Sequence, residues 1–463
     1  MQPATHSCGH ITPLFTRRDI LRNLSCGFGY MAFAGLATSA SAAATSPLAP
    51  KPTHFPARAK RIIFLCMRGA PSHVDTFDYK PALNADSGKP GMRPGTKLLG
   101  SRWKFSQHGR SGLWISELFP HTARHADQLC LVRSMQTDLP AHPQAMLKLH
   151  TGSSQFIRPS LGAWSLYGLG SLNENLPGFI TITPPAGGGG AQNYGSSFLP
   201  AMYQGTRIGT DNRPIADAHV RNLTPPLPNA TQRTELDLAQ ALNRRKLERD
   251  QHNPQVEGVI ESFELAFKMQ AQMPQVLDID RESEATKKLY GIGTPATDDF
   301  GRKCLLARRM AEAGVRFVEV SHGNWDQHFN LSSALSANCA ATDLPIAGLL
   351  TDLEKRGLLN DTLVLWSGEF GRTPHAQGTD GRDHNHQAFT LWMAGGGVRP
   401  GYSHGSSDDY GYKAAEHPAQ IHDLHATLLS LLGLDHEKLT FNYAGRDFRL
   451  TDVAGEVIQP ILA

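Results

Sequence analysis

Six short apolar runs, spread along the chain, restrict the fold more than any other feature of the sequence. They are RIIFLCM (61–67), LCLVRSM (129–135), GFITIT (178–183), RFVEVS (316–321), TLVLWSG (362–368) and FTLWMAG (389–395). Continuous apolar runs of this length are typical of strands buried on both faces of a parallel sheet. Helix-like stretches lie between or after them, at 301–314, 341–357 and 422–433. This order predicts an α/β fold with a mostly parallel central sheet flanked by helices.

The segment from about residue 185 to 300 departs from this pattern. It opens with the glycine-rich stretch PPAGGGGAQNYGSS, which lacks the strand-to-helix context and the Gly-Lys-Ser/Thr ending of a phosphate-binding loop. Two later stretches, 234–250 and 260–273, repeat apolar residues at intervals of three and four and predict amphipathic helices. We therefore expect a helical and loop-rich insertion on one side of the sheet.

The first 44 residues have the features of a twin-arginine export signal. Arg17 and Arg18 precede a Gly/Ala-rich stretch that ends in the small residues Ala40-Ser41-Ala42. A disordered basic tail is the alternative interpretation. The apolar stretch is short and contains glycine, so no lasting membrane anchor is expected. The sequence thus predicts export by the twin-arginine machinery to the periplasm or the cell exterior, a linker at 45–57 and a single domain at 58–463.

Charge and cysteine content narrow the function further. The 463 residues include 45 basic and 42 acidic ones, a net charge of +3, which gives no electrostatic basis for binding nucleic acid or an anionic membrane. Four cysteines lie beyond the export signal, far apart and without a CxxC pair: Cys66, Cys130, Cys304 and Cys339. They are interpreted as buried thiols that pack as small apolar groups, and a disulfide is left open.

Acids and histidines are concentrated in the loops that follow the predicted strands. In open α/β sheets, binding sites form outside the carboxyl ends of the strands, so these loops are expected to share one site. Asp326 and His328 follow one strand and alternate with Gln327, so both can face the same side of an extended segment. A connector has no need of groups that are costly to desolvate unless they are paired or bound to metal.

The loop SGEFGRTPHAQGTDGRDHNHQAF (367–389) carries the densest set of such groups. His384 and His386 show the same alternation, directly after Asp383, and all three are candidate ligands. Glu369 follows a buried strand and is either a ligand or the ionic partner of Arg372. Carboxylate oxygens and imidazole nitrogens suit zinc, iron or manganese. The sequence therefore predicts a divalent metal site at this edge of the sheet.

Several motifs resemble those of the DUF1501 proteins, a twin-arginine-exported, sulfatase-like family. They include GAPSHVDTFDYKPAL, ARRMAEAGVRFVEV, WDQH, LWSGEFGRTP, GRDHNHQAFTLWMAGGGV and HDLHATLLSLLGLDHEKLTF, in order over about residues 57–463. The resemblance implies the fold of the alkaline phosphatase and sulfatase superfamily, whose members cleave phosphate or sulfate esters at one or two metal ions. It assigns Asp326 and His328 to a metal pair, with His384 or His386 as a further ligand.

The chain also departs from the sulfatase pattern. Glu369 and Phe370 stand where sulfatases have Asp and His, and the nucleophile motif Cys/Ser-x-Pro-x-Arg is missing, so a formylglycine sulfatase is not expected. Counting back from Thr151-Gly152 places His142 at the nucleophile position. The first strand should end in a metal-binding aspartate but is followed by Arg68 and then by His73 and Asp75. Together with Glu369, His73 and Asp75 are the substitutes at an altered second metal site.

These observations lead to two functional expectations. The first is an exported hydrolase of sulfate or phosphate esters, small or polysaccharide, that uses zinc, manganese or calcium. His142, Thr137 or a hydroxide would attack, Arg372 would clamp the anion, and His73 or His422 would protonate the leaving group. The alternative is an inactive protein of the alkaline phosphatase fold that binds carbohydrate or another extracytoplasmic polymer.

Overall fold

The structure, a computed structural model, describes residues 46–211, 213–218, 220, 223, 227–251 and 253–463. Residues 48–463 form one compact unit. The predicted export signal at 1–44 lies outside the described residues. Among those that are described, no helix is both long and apolar enough to cross a bilayer.

The strands of the described residues are short, and most belong to one central sheet. In chain order they are β1 Arg61–Met67, β2 Phe105–His108, β3 Leu113–Ser116, β4 Leu129–Gln136, β5 Phe179–Ile182, β6 Thr206–Ile208, β7 Phe317–His322, β8 Thr362–Ser367, β9 Gly371–Ala376, β10 Arg382–Asn385, β11 Phe389–Ala394, β12 Tyr402–His404, β13 Ser406–Ser407, β14 Ala414–Glu416, β15 Ala419–Gln420, β16 Phe441–Tyr443 and β17 Arg446–Phe448. All six predicted strands are present, each to within one residue at either end.

The central sheet has nine strands in the order β12-β4-β11-β8-β1-β7-β5-β6, with β15 also paired to β4. Strand β1 pairs in parallel with β7 and with β8, and β5 pairs in parallel with β7 and with β6. Strand β11 alone reverses direction, since it is antiparallel to both β4 and β8, whereas β12 and β15 are parallel to β4. The prediction of a mostly parallel sheet in an α/β fold is confirmed.

Helices cover both faces of this sheet. In chain order they are α1 His73–Thr76, α2 Pro81–Ala85, α3 His142–Thr151, α4 Leu161–Leu169, α5 Asn229–Asp250, α6 Pro254–Leu277, α7 Glu284–Leu289, α8 Asp298–Glu312, α9 Leu331–Lys355 and α10 Ile421–Leu431. Strand β1 shows why two layers are needed, because successive side chains of a strand point to opposite faces. Ile63, Leu65 and Met67 belong to a core shared with α8 and α9. Phe64 and Cys66 belong to a second core shared with α3, α4 and α10.

The insertion contributes the helices α5 and α6, which pack against each other. Arg233 of α5 lies 2.8 Å from the Glu264 carboxylate of α6, and the Gln240 side-chain amide donates to the Ile260 carbonyl at 2.8 Å. Helix α6 starts with Pro254 in its first turn, where a missing N–H has no helical partner to lose, and the Asn253 side chain caps it.

Candidate metal centre

The carboxyl ends of the parallel strands bring four distant side chains together. His142 is the first residue of α3, after β4; Asp326 and His328 lie in the loop after β7; His384 lies in β10, in the hairpin after β8. One ligand atom from each of these four residues lies within 4.8 Å of every other. His328 Nε2 is 2.8 Å from His384 Nε2 and 2.9 Å from Asp326 Oδ1. We call these four residues the His₃Asp cluster.

The three imidazoles of the His₃Asp cluster are each held from outside by an acceptor on Nδ1. His142 Nδ1 lies 2.5 Å from Glu369 Oε1, His328 Nδ1 lies 2.5 Å from Gln377 Oε1, and His384 Nδ1 lies 2.6 Å from the Pro140 carbonyl oxygen. These oxygens can only accept, so each Nδ1 carries a proton and donates it. In the neutral form, each ring therefore turns the lone pair of Nε2 towards Asp326, as metal-ligating histidines do.

Two of the donor separations, those from His142 and His384 to Asp326, are close to the separations around a small divalent ion, whereas those of His328 are shorter. His142 Nε2 and His384 Nε2 lie 3.2 and 3.4 Å from Asp326 Oδ1. Zinc bonds to nitrogen and oxygen of about 2.0–2.2 Å place tetrahedral ligands about 3.3–3.5 Å apart. His142 Nε2 is also buried and has no hydrogen-bonding partner of acceptable geometry. Donor type, spacing and this orphaned nitrogen all suit a metal cation.

Without a metal ion, the cluster would hold a protonated His142 beside an ionised Asp326. Burial disfavours a charged His142, but hydrogen bonds and charges from Asp326 and Glu369 outweigh this effect and raise the pKa of His142 to about 9. Burial likewise opposes ionisation of Asp326, yet hydrogen bonds from His142, His384 and Arg372 hold the pKa of its carboxyl well below the usual range. The carboxylate is therefore anionic at neutral pH and attracts positive charge.

Arg372 fixes the position of Asp326. The guanidinium is completely buried and contacts Asp326 Oδ1 at 2.5 Å. Its other N–H groups donate to backbone carbonyls, including those of Gly69, Ala70 and Arg382 at 2.5, 3.1 and 3.3 Å. All of its donors thus face protein atoms, and the predicted anion clamp would require these bonds to be broken.

Glu369 orients His142 from behind. This buried carboxylate accepts from His142 Nδ1 and from the Gly69 N–H at 3.0 Å. The sequence predicted that Glu369 is either a metal ligand or the ionic partner of Arg372. Its observed hydrogen bonds, to His142 and Gly69, correspond to neither role. Gly69 has φ +105°, and a Cβ there would lie 2.6 Å from the Asp326 nitrogen, so only glycine lets the ends of β1 and β7 approach this closely.

Besides Glu369, three further predicted metal ligands lie outside the His₃Asp cluster. Asp75 is fully buried in a bidentate ion pair with Arg382, at 2.6 and 3.0 Å. Asp383 pairs with the exposed Arg93 at 3.1 Å. His386 is half-buried, and burial lowers its pKa.

The remaining predicted catalytic residues lie around the cluster rather than in it. Thr137 is buried; its N–H donates to the His386 carbonyl, and its hydroxyl has no partner. His73 Nε2 contacts the Gly411 carbonyl at 3.0 Å, and His422 Nε2 contacts the Gly152 carbonyl at 2.7 Å. Burial lowers the pKa of both histidines, so both are neutral at pH 7.

A cavity of about 800 Å³ lies beside residues that contact the His₃Asp cluster, although none of the four cluster residues lines it. Its wall includes Gln377, which holds His328, and Asp383, which precedes His384. Arg93, Lys97 and His375 also line it. The cavity therefore offers basic groups next to the convergent imidazoles.

Sequence reasoning missed two groups that orient the cluster. Gln377 lies in a glycine-containing loop with no pattern that marks it. The Pro140 contact is made by a backbone carbonyl, and no side-chain motif reports such a contact.

Comparison with known proteins identifies a family and distant structural similarities. The DUF1501 model, described as a protein of unknown function, matches residues 59–462. No curated protein shows significant sequence similarity to the chain.

Several solved structures align over most of the chain at low identity. The phosphonate monoester hydrolase SpPMH from Silicibacter pomeroyi is 10% identical, with a TM-score of 0.38, over 87% of this chain and 76% of that chain. The lipoteichoic acid synthase LtaP from Listeria monocytogenes is 10% identical, with a TM-score of 0.36, over 87% and 78%. The PsFucS1 sulfatase from Pseudoalteromonas sp. is 11% identical, with a TM-score of 0.35, over 82% and 69%. Similarity at this level transfers no activity to the chain.

Proposed function

The chain belongs to the DUF1501 family, and we propose that it is a metal-dependent hydrolase of phosphate or sulfate esters. One observation carries the proposal: three imidazole Nε2 atoms converge on one carboxylate oxygen while each Nδ1 is held by an acceptor. Histidines that only stabilise a loop have no need to face one another in this way. An acceptor on Nδ1 orients a metal-ligating imidazole and increases the basicity of its Nε2.

Zinc or manganese suits this site better than calcium. Calcium takes six to eight oxygen ligands, whereas the His₃Asp cluster offers three nitrogens and one carboxylate. Imidazole ligands favour zinc and other transition metals. A divalent ion held there would polarise an ester oxygen and lower the pKa of a bound water molecule.

The residues around the cluster have distinct roles in this proposal. Arg372 positions Asp326, and Glu369 holds His142 in the tautomer that exposes Nε2. Glu369 engages Nδ1 of His142, and a metal ion would engage Nε2, so the proposal makes His142 a ligand rather than the nucleophile. Phe370 packs on the rings of His142 and His384, with centroids 4.7 and 4.8 Å apart, and shields them on one side. Because His142 serves as a ligand in this proposal, we favour a water molecule as the attacking group.

The adjoining cavity is the proposed substrate site. Its volume of about 800 Å³ is in the range of small-molecule pockets and far exceeds that of a single phosphate or sulfate group. Arg93 and Lys97 would attract the anionic ester, and the remaining space would hold its organic part, a small molecule or the end of a polysaccharide. Export through the twin-arginine machinery is part of the proposal and rests on Arg17 and Arg18. Replacing both with lysine should retain the protein in the cytoplasm, as measured by cell fractionation.

Two neighbouring histidines allow a matched test. We expect the His384→Ala variant to lose one metal ion per chain and its hydrolysis of aryl phosphates and sulfates. The His386→Ala variant, changed two residues away and outside the cluster, should retain both. Metal content is measured by mass spectrometry after purification with zinc or manganese, and turnover by release of the aryl alcohol. Equal metal content in both variants, or no turnover of any ester by the wild type, would favour the inactive polymer-binding alternative.

A further inference from the structure

A second convergent set of side chains lies inside the core, below α3. Cys66, His150 and Glu319 have exposed fractions of 0%, 4% and 2%. One ligand atom from each lies within 4.8 Å of the other two. We call these residues the Cys-His-Glu cluster. Since His150 follows His142 by eight residues in the same helix, the two clusters are about 12 Å apart along the axis of α3.

Strand pairing places the cluster on one face of the sheet. Cys66 of β1 is the register partner of Ser321 of β7, and Phe64 is the partner of Glu319. Side chains two residues apart in a strand share a face, so Cys66 and Glu319 both point towards α3. His150, in the last turn of α3, covers them from above.

The polar atoms of this cluster form no hydrogen bond of acceptable geometry with one another, although His150 and Glu319 lie within ion-pair distance when the imidazole is protonated. His150 Nδ1 donates to the Met146 carbonyl at 2.8 Å, so the neutral ring presents a lone pair at Nε2. That nitrogen faces Glu319 Oε2 at 3.3 Å, and both are buried atoms without a hydrogen-bonding partner of acceptable geometry. Among the described residues, Glu319 accepts only from the Ser321 hydroxyl, at 3.3 Å, and pairs with no lysine or arginine.

A buried carboxylate that faces an imidazole lone pair is unfavourable unless a positive charge lies between them. The surroundings are apolar: the Phe64 ring centroid is 5.7 Å from that of His150. An unpaired charge in such a place is strongly destabilising, because its hydration is lost and nothing replaces it. Either a shared proton or a metal cation must therefore occupy the space between these two groups.

We propose that Cys66, His150 and Glu319 bind a second divalent transition metal ion, through a thiolate, an imidazole nitrogen and a carboxylate oxygen. The separation of 3.3 Å between His150 Nε2 and Glu319 Oε2 matches ligands on zinc, for which bonds of about 2.0–2.2 Å imply about 3.3–3.5 Å between donors. The sulfur donor favours zinc over magnesium, calcium or manganese. Binding replaces the thiol proton of Cys66, which is released to solvent.

The buried position assigns this ion a structural role. None of the three ligands reaches the surface, so no substrate contacts the ion, and it would link β1, β7 and α3. Metal ions in closed sites contribute directly to folding. This inference stands apart from the proposed hydrolase, since it uses none of the residues of the His₃Asp cluster.

Cobalt(II) substitution tests the proposal directly, because only the Cys-His-Glu cluster contains sulfur. The purified full-length chain, stripped of metal and loaded with cobalt(II), should show a thiolate-to-cobalt charge-transfer band in the near ultraviolet. The band should persist in His384→Ala and disappear in Cys66→Ala. Cys130→Ala is the matched control: Cys130 is an equally buried free thiol in the same core, and the variant should retain the band. Zinc content should fall by one ion per chain in both Cys66→Ala and Glu319→Gln.

The wild-type spectrum decides the question even if a variant fails to fold. Absence of the charge-transfer band from folded, reduced, cobalt-loaded wild type would overturn the proposal and leave a proton shared between His150 and Glu319. A band that survives Cys66→Ala would have the same consequence. Loss of ester hydrolysis in any variant has no bearing on this result, so the two proposals fail separately.

Discussion

Two polar networks of this protein follow opposite rules. Around Arg308, which is 2% exposed, each nitrogen of the guanidinium faces a carboxylate: Glu282 at 2.7 Å, Glu312 at 2.6 Å and Asp352 at 2.9 Å. In the His₃Asp cluster, by contrast, three imidazole acceptors face the oxygen of one carboxylate. The first network pairs one cation with three carboxylates of the chain, whereas the second directs three imidazole nitrogens at one carboxylate, an arrangement that suits an added cation.

This difference separates stability from function. The Arg308 network connects α8 and α9 with the segment before α7, and the Tyr290 hydroxyl adds a bond to Asp352 at 2.9 Å. Opposite charges that are matched in this way need no ligand. Imidazole nitrogens that converge on one carboxylate, while the other nitrogen of each ring is held by a hydrogen-bond acceptor, indicate a site built for a ligand. The signs of the groups that face one another, rather than the number of charges, therefore distinguish the two networks.

The largest expected effect is the loss of stability when the Arg308 network is broken. Replacing Arg308 with alanine removes three ion pairs at once, while Glu282 keeps Arg309 and Asp352 keeps Arg356. We expect the free energy of unfolding to fall by about 3 kcal/mol, because interactions between charged groups are lost. Urea unfolding at pH 7 measures the change. Metal content of the folded variant should stay the same.

The exposed Arg281 of the same region pairs with Asp278 at 2.9 Å and serves as the control. Its replacement by alanine should change the free energy of unfolding by less than about 1 kcal/mol. Loss of bound metal in Arg308→Ala would show that the two networks are coupled and would break the comparison.

A smaller effect is expected behind the His₃Asp cluster. Glu369→Gln keeps the shape of the side chain but weakens its hold on His142 Nδ1. Changing the group that accepts a hydrogen bond from a ligating histidine lowers metal affinity about 10–100-fold. A chelator competition assay with zinc can measure this loss. Glu437→Gln, at a side chain that is 67% exposed, is the control and should leave the affinity unchanged. An unchanged affinity in Glu369→Gln would exclude His142 as a ligand.

The smallest effect concerns the pH dependence of the Arg308 network. Burial opposes ionisation of Glu282, but hydrogen bonds from Arg309 and Arg308 outweigh it and lower the pKa of the carboxyl. A lowered pKa in the folded state contributes stability that is present above the pKa of the unfolded state, about 4.3, and is lost as the pH falls through the folded value.

Glu282→Gln should therefore be less stable than the wild type at pH 7, and the difference in the free energy of unfolding should shrink as the pH falls below about 4.3. Urea unfolding at several pH values measures it. A difference that stays constant down to acid unfolding would mean that the charge of Glu282 contributes nothing.

The sequence alone determined the framework and where chemistry would gather. Alternating and continuous apolar patterns are local, so they located all six strands of the sheet that were predicted. The carboxyl ends of parallel strands lie at one edge of the sheet. This rule predicted that Asp326, His328 and His384 share a common region.

The partner of each histidine, acid and arginine around the site becomes visible only once the whole chain is packed. His142 meets Glu369 across 227 residues, and Arg382 meets Asp75 across 307. No local periodicity encodes a hydrogen bond between side chains so far apart, and a backbone acceptor such as Pro140 leaves no mark in the sequence at all. The fold of the sheet follows from short-range patterns of burial, whereas the site depends on lone pairs and protons that converge only after the whole chain has packed.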